Sequence, residues 1–104
     1  MRHVRILITR RIDDHFPGWV EFTIRGAGGE VFLFVDKDPV ASVVDIPSFP
    51  FESTVACSVI STVVQPDGSK VLEIDTSPWG IESEAGVSRF LIHESELASP
   101  QSAA

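Results

Sequence analysis

Apolar and polar residues alternate along most of this chain with a period of two. Over residues 2–9, Val4, Ile6 and Ile8 point one way and His3, Arg5, Leu7 and Thr9 the other, which is the pattern of a half-buried strand. The alternation breaks over residues 10–16 and a turn follows at Pro17-Gly18. It resumes over residues 19–25 with Val20, Phe22 and Ile24 on the inward phase. Gly26-Ala27-Gly28-Gly29 then closes a hairpin, because glycine tolerates the backbone angles such a turn requires.

The return strand, residues 30–35, is apolar on both faces, with Val31, Leu33 and Val35 opposite Phe32 and Phe34. A strand of this kind is covered on its second face by another sheet or by a partner. Residues 40–46 predict one more short strand. Pro47-Ser48-Phe49-Pro50-Phe51 reads as a rigid aromatic loop, since each proline also restricts the residue before it.

The strongest hairpin signal lies further on. Val55, Cys57, Val59 and Val63 alternate with Ala56, Ser58, Ile60 and Thr62, then Pro66-Asp67-Gly68 supplies turn chemistry. The return run puts Leu72, Ile74 and Thr76 on one face and Val71, Glu73 and Asp75 on the other. Ser77-Pro78-Trp79-Gly80 makes a corner. A last hairpin pairs residues 81–83 with 87–93 around Glu84-Ala85-Gly86.

No stretch offers ten residues of helical periodicity. Short strands with turns every eight to twelve residues predict an all-β fold. The expected architecture is a small antiparallel barrel, or barrel-like sandwich, of six to seven strands, closure being favoured because it removes exposed edges. One domain spans residues 1–97, followed by a small-residue tail, 98–104, expected to be disordered. The expected core is Val20, Phe22, Ile24, Val31, Leu33, Val35, Val59, Leu72, Ile74 and Phe90.

Composition narrows the function classes. Eight basic against fifteen acidic residues give a formal charge of −7, which disfavours a phosphate backbone as the main partner. Half of the basic residues (Arg2, Arg5, Arg10 and Arg11) lie in the first eleven positions, an arrangement read as internal pairing. A single cysteine excludes an intrachain disulfide and points to a reducing, cytoplasmic setting. No apolar run approaches the ~20 residues of a membrane span.

The candidate chemistry is sparse. Cys57 lies mid-strand in an apolar row and reads as a buried, inert thiol. His3, His15 and His93 show no metal-ligand spacing, so neither a metal nor a cofactor is expected. The pairs Asp36/Asp38 and Glu82/Glu84 flank turns and read as hydrated surface carboxylates rather than an acid/base pair. The glycines of residues 26–29 precede a strand, not a helix, which removes the mechanism of a phosphate loop. Asp75-Thr76-Ser77-Pro78-Trp79-Gly80 is the most distinctive string, either a structural corner or a recognition loop anchored by Trp79.

Several strings together resemble a group of small, stand-alone bacterial β proteins with no established activity. They are Thr9-Arg10-Arg11-Ile12-Asp13-Asp14, Pro17-Gly18-Trp19-Val20-Glu21, Val35-Asp36-Lys37-Asp38-Pro39-Val40, the Cys57 strand and residues 74–83. The resemblance spans roughly residues 4–93. It implies common descent and supplies no catalytic residue and no ligand.

The expected function is therefore a non-catalytic protein-interaction module, an inhibitor- or immunity-type partner, with Trp79, Phe32, Phe34, Asp75, Phe49 and Phe51 as candidate interaction residues. A homodimer contact over Phe32 and Phe34 is one way to cover the doubly apolar strand. The alternative is a small-ligand barrel with Phe32 and Phe34 as pocket wall. An enzyme is disfavoured because no triad, metal set or cofactor motif occurs. A nucleic-acid binder is disfavoured by charge, although Trp and Phe could stack bases.

Overall fold

The computed structural model describes residues 1–98. Its strands are β1 (Arg2–Asp13), β2 (Trp19–Arg25), β3 (Val31–Lys37), β4 (Phe51–Val64), β5 (Lys70–Asp75) and β6 (Arg89–His93). All pairings are antiparallel and the spatial order is β3-β2-β1-β4-β5-β6. One helical turn, α1 (Asp38–Ala41), and two 3-10 turns, Ser77–Trp79 and Glu94–Glu96, complete the regular structure.

β4 is the long strand that makes the sheet curl. Its first half pairs with β1, from Ile8↔Phe51 to Arg2↔Cys57, and its second half with β5, from Ser58↔Asp75 to Val64↔Lys70. A register shift between Val59 and Ser61 marks a bulge that bends the strand between these partners. The result is a half-barrel. Its two edge strands approach each other: the Phe90 ring of β6 lies 4.7 Å from Phe32 and 5.5 Å from Phe34 of β3. Two backbone bonds cross the same gap, Ala27 N–H to the Leu91 carbonyl at 2.7 Å and Glu84 N–H to the Leu33 carbonyl at 2.9 Å. Residues 97–98 join in, with Leu97 bridging Val4 and Ala98 N–H donating to the His3 carbonyl at 2.9 Å.

The inward phases of β1, β2 and β5 are as their alternation predicts: Val4, Ile6, Ile8, Val20, Phe22, Ile24, Leu72 and Ile74 are buried, and so is Phe90. Val55 and Cys57 join them from β4, while Val59 is only partly buried against the core.

Four expectations are corrected. The phase of β3 is reversed. Phe34 is fully buried, stacked on Phe22 at 4.9 Å, and Phe32 packs partly buried on the core, whereas Val31 is 63% exposed and Leu33 also faces solvent. Both phases were apolar, and the Phe90 ring brought across by curling selects the aromatic one. The rings therefore fill the interior of one chain, which removes the premise of a homodimer over Phe32 and Phe34. Residues 40–46 form no strand; Pro39 sits at the start of α1, where its missing N–H costs nothing. Residues 81–83 pair with nothing as a strand, although Ser83 N–H donates to the Val87 carbonyl at 2.8 Å. Finally, β1 continues to Asp13 through register shifts between Ile8 and Arg10 and between Arg11 and Asp13, so its broken alternation marks bulges and not a strand end. The expectation for the tail lies outside the described residues from 99 onward.

Candidate functional site

The strand pairings gather the long connections at one pole. Asp13↔Trp19↔Lys37 and Ile8↔Phe51 place the 14–18 loop and the 38–50 connection at the same end of the sheet. The β5–β6 connection reaches that end too, since Gly80, Glu82, Ser83 and Glu84 share a polar recess of about 260 Å³ with Val35 and Asp36 of β3. Tight turns, residues 26–30 and 65–69, close the other hairpins. Loops held on a rigid scaffold are where binding residues concentrate.

The bulges in β1 set the electrostatics of this pole. Arg10 is opposite Glu21 and pairs with it at 3.0 Å, while Arg11 falls opposite the buried Val20. Arg11 is thereby turned over the barrel end. Its Nη1 donates to Asp38 Oδ2 at 2.8 Å, its Nε lies 3.5 Å from Asp14, and its guanidinium sits 5.9 Å from the centroid of the Phe49 ring. Asp38 N–H donates to the Gly18 carbonyl at 2.9 Å. Gly18 has φ +82°, and a Cβ there would come 3.0 Å from Arg11 Nη1, so the position requires glycine. Ser53 donates its hydroxyl to the Ala41 carbonyl, tying α1 to β4.

The 14–18 loop is fixed at its start as well. Asp13 Oδ1 accepts from His15 N–H at 2.8 Å and lies 2.7 Å from His15 Nδ1. The backbone bond, then the ring, holds the Asp13 carboxyl below the usual carboxylate range. On this frame the apolar side chains point outward. Phe16 is 98% and Val43 99% exposed, and Ile12, Val40, Val44 and Phe49 are also open to solvent.

The Trp79 corner is built differently. Asp75 Oδ1 accepts from Ser77 N–H at 2.8 Å, and Arg89 Nε lies 3.6 Å from its other oxygen. The Ser77 bonds, more than Arg89, keep this carboxyl below its ordinary value. Thr76 is fully buried; its hydroxyl donates to the Ile81 carbonyl at 2.7 Å, and Ile81 N–H returns to the Thr76 carbonyl at 3.3 Å. Gly80 closes the turn at φ +71°. Ile81 is buried beneath while Trp79 stays 38% exposed, part packed and part presented.

The six candidate interaction residues thus separate into three places. Phe32 and Phe34 belong to the interior, Phe51 packs partly buried on the core, and Phe49 lies at the pole under Arg11. Asp75 and Trp79 form the corner. Phe16 and Val43 were missed. Phe16 sits in a string that reads as a turn, and its only signal is a large aromatic between His15 and Pro17 with no periodic partner. Val43 was absorbed into an expected strand.

The Cys57 thiol is buried, and burial outweighs the nearby Arg2 to push it up to about 11, which leaves almost no thiolate near neutrality. Among the described residues no three His, Cys, Asp or Glu side chains are grouped to hold a metal ion. No helix among them is long and apolar enough to cross a membrane. An open groove of about 660 Å³ lies on the outer face, lined by Arg5, Leu7, Thr23, Arg25, Thr54 and neighbours. Comparison of the chain with protein-family models, curated proteins and solved structures finds no match.

Proposed function

We propose that this protein is a non-catalytic protein-binding module, an inhibitor- or immunity-type partner that seats its loop pole on an apolar surface of another protein. The observation that carries this reading is the pairing of near-complete exposure at Phe16 and Val43 with a backbone pinned by Arg11, Asp38 and Asp13. Apolar side chains held outward on ordered loops have little conformational freedom left to lose on binding, and exposed apolar clusters rimmed by charge mark interaction surfaces. The formal charge of −7 favours a protein over a nucleic acid as partner. A cytoplasmic setting, suggested by the lone unpaired thiol, belongs to the same reading.

The test is affinity capture from a native lysate with the full chain beside a Phe16→Ser/Val43→Ser variant. Neither side chain is buried, so the variant should keep the parent melting temperature. A partner should be retained by the parent and lost by the variant, with binding weakened at least ~30-fold if either residue is an anchor. Identical captured proteins from both would refute the pole as the binding surface.

A further inference from the structure

We propose that the partner of the loop pole is a protein with a basic face, one that sets lysine and arginine side chains around apolar sockets for Phe16 and Val43. This rests on the pole being the binding surface and adds the chemistry that surface must meet. The chain's formal −7 is unevenly spread. Residues 13–18, 36–50 and 80–84, which build the pole, hold seven carboxylates and one cation, Lys37, to which β1 adds Arg11. The pole therefore carries a formal −5 and the rest of the chain only −2.

The fold spends its nearest cation internally. Arg11 is held by Asp38 at 2.8 Å and by Asp14 at 3.5 Å, and Asp13 is taken by His15. Asp45, Glu82 and Glu84 are exposed and, among the described residues, form no ion pair. Asp14 precedes the 98% exposed Phe16 by two residues, and Asp45 follows the 99% exposed Val43 by two. Each presented apolar side chain thus has an exposed carboxylate close by in the chain.

Charge selects the occupant. A net negative pole speeds the approach of a positive surface and repels a negative one. A second copy would set one such pole against another, and a phosphate backbone or an anionic membrane would meet the same repulsion. Anchoring falls to the apolar side chains once they are desolvated, whereas rim charges steer the encounter and fix its register. A basic protein face is the occupant that answers both.

The probe for the test is the protein that the full chain captures from a native lysate through Phe16 and Val43, purified and identified. Its association rate should fall at least ~10-fold as salt is raised from about 50 mM to about 500 mM. Asp45→Lys/Glu82→Lys leaves both apolar residues in place and breaks no ion pair; it should slow association at least ~10-fold at low salt. Glu30→Lys/Glu94→Lys changes the net charge equally at the opposite end of the sheet and should change the rate less than ~3-fold. Carbodiimide coupling, which joins a carboxylate to a lysine amine in contact with it, should link Asp45, Glu82 or Glu84 to the probe. A probe that needs Phe16 and Val43 but ignores both salt and Asp45→Lys/Glu82→Lys would overturn the basic face and leave the pole as the binding surface. Equal slowing by the two lysine variants would also overturn it, since net charge alone would then suffice. Capture that survives Phe16→Ser/Val43→Ser, or no capture at all, would remove the pole reading and this proposal with it.

Discussion

Phe34→Ala is the substitution that most directly tests how the half-barrel is held. Phe34 has no solvent exposure, stacks on Phe22 within 4° of parallel and meets Phe90 of the opposite edge strand at 5.5 Å. Truncating a buried Phe to Ala costs about 3–5 kcal/mol through lost transfer energy and the cavity left behind. A domain of this size has a total stability of about 5–15 kcal/mol, so the variant should stay folded in water yet become fragile. With an m-value near ~1.5 kcal/mol/M, the urea midpoint should fall by roughly 2–3 M, read from the fluorescence of Trp19 and Trp79. Leu33→Ala, one residue away on the outer face, should cost less than about 1 kcal/mol. A double-mutant cycle of Phe34→Leu with Phe90→Leu isolates the contact between edges, and a coupling of about 0.5–1.5 kcal/mol is expected for an aromatic pair. If Leu33→Ala costs as much as Phe34→Ala, the phase of β3 is wrong. If the coupling is zero, the two edges do not meet.

Three further outcomes follow from the geometry. Cys57 holds its proton to about pH 11 when folded, against an ordinary value of 9.0; its contribution is full below pH 9 and lost as pH rises through the folded value, about 2–3 kcal/mol in all. Urea melts of parent and Cys57→Ala should therefore converge over that window, and a constant difference from pH 8 to 11 would contradict it. Thr76→Val removes the hydroxyl that satisfies the buried Ile81 carbonyl and should cost about 1–3 kcal/mol in the same assay; a neutral result would mean that water or another donor replaces it. Trp79→Ala, with the ring partly presented to solvent, should cost about 1–2 kcal/mol, less than a fully buried ring, and a loss above about 3 kcal/mol would make the corner a packing wedge.

The alternation of β1, β2 and β5 and the chemistry of the 26–29 and 66–68 turns were legible in the sequence, because a strand with one apolar face admits one phase. β3 was not, because both of its phases are apolar and the choice between them depends on Phe90, which is distant in sequence. α1 was hidden for a related reason: Val40, Val43 and Val44 carry β propensity, but Pro39 starts a helical turn and the connection has no neighbouring strand to pair with. Arg11 shows the limit for the site. Its inward turn over Phe49 and Asp38 depends on a bulge, and a bulge appears in a sequence only as a lapse in period.

Among the described residues, the β1–β4 ladder is the one pairing between strands that are not consecutive in the chain. The other strand ladders belong to two meanders, β1–β3 and β4–β6, each built from neighbouring hairpins, and the contacts of Phe90 with Phe32 and Phe34 join their far edges. Folding speed is governed by the sequence separation of contacts, so the slow event is the docking of the two meanders along β1 and β4. Side chains on that seam, such as Val4 and Val55, set how fast the chain folds. Those that only complete a meander, such as Ile92, chiefly set how long the folded chain persists before it opens.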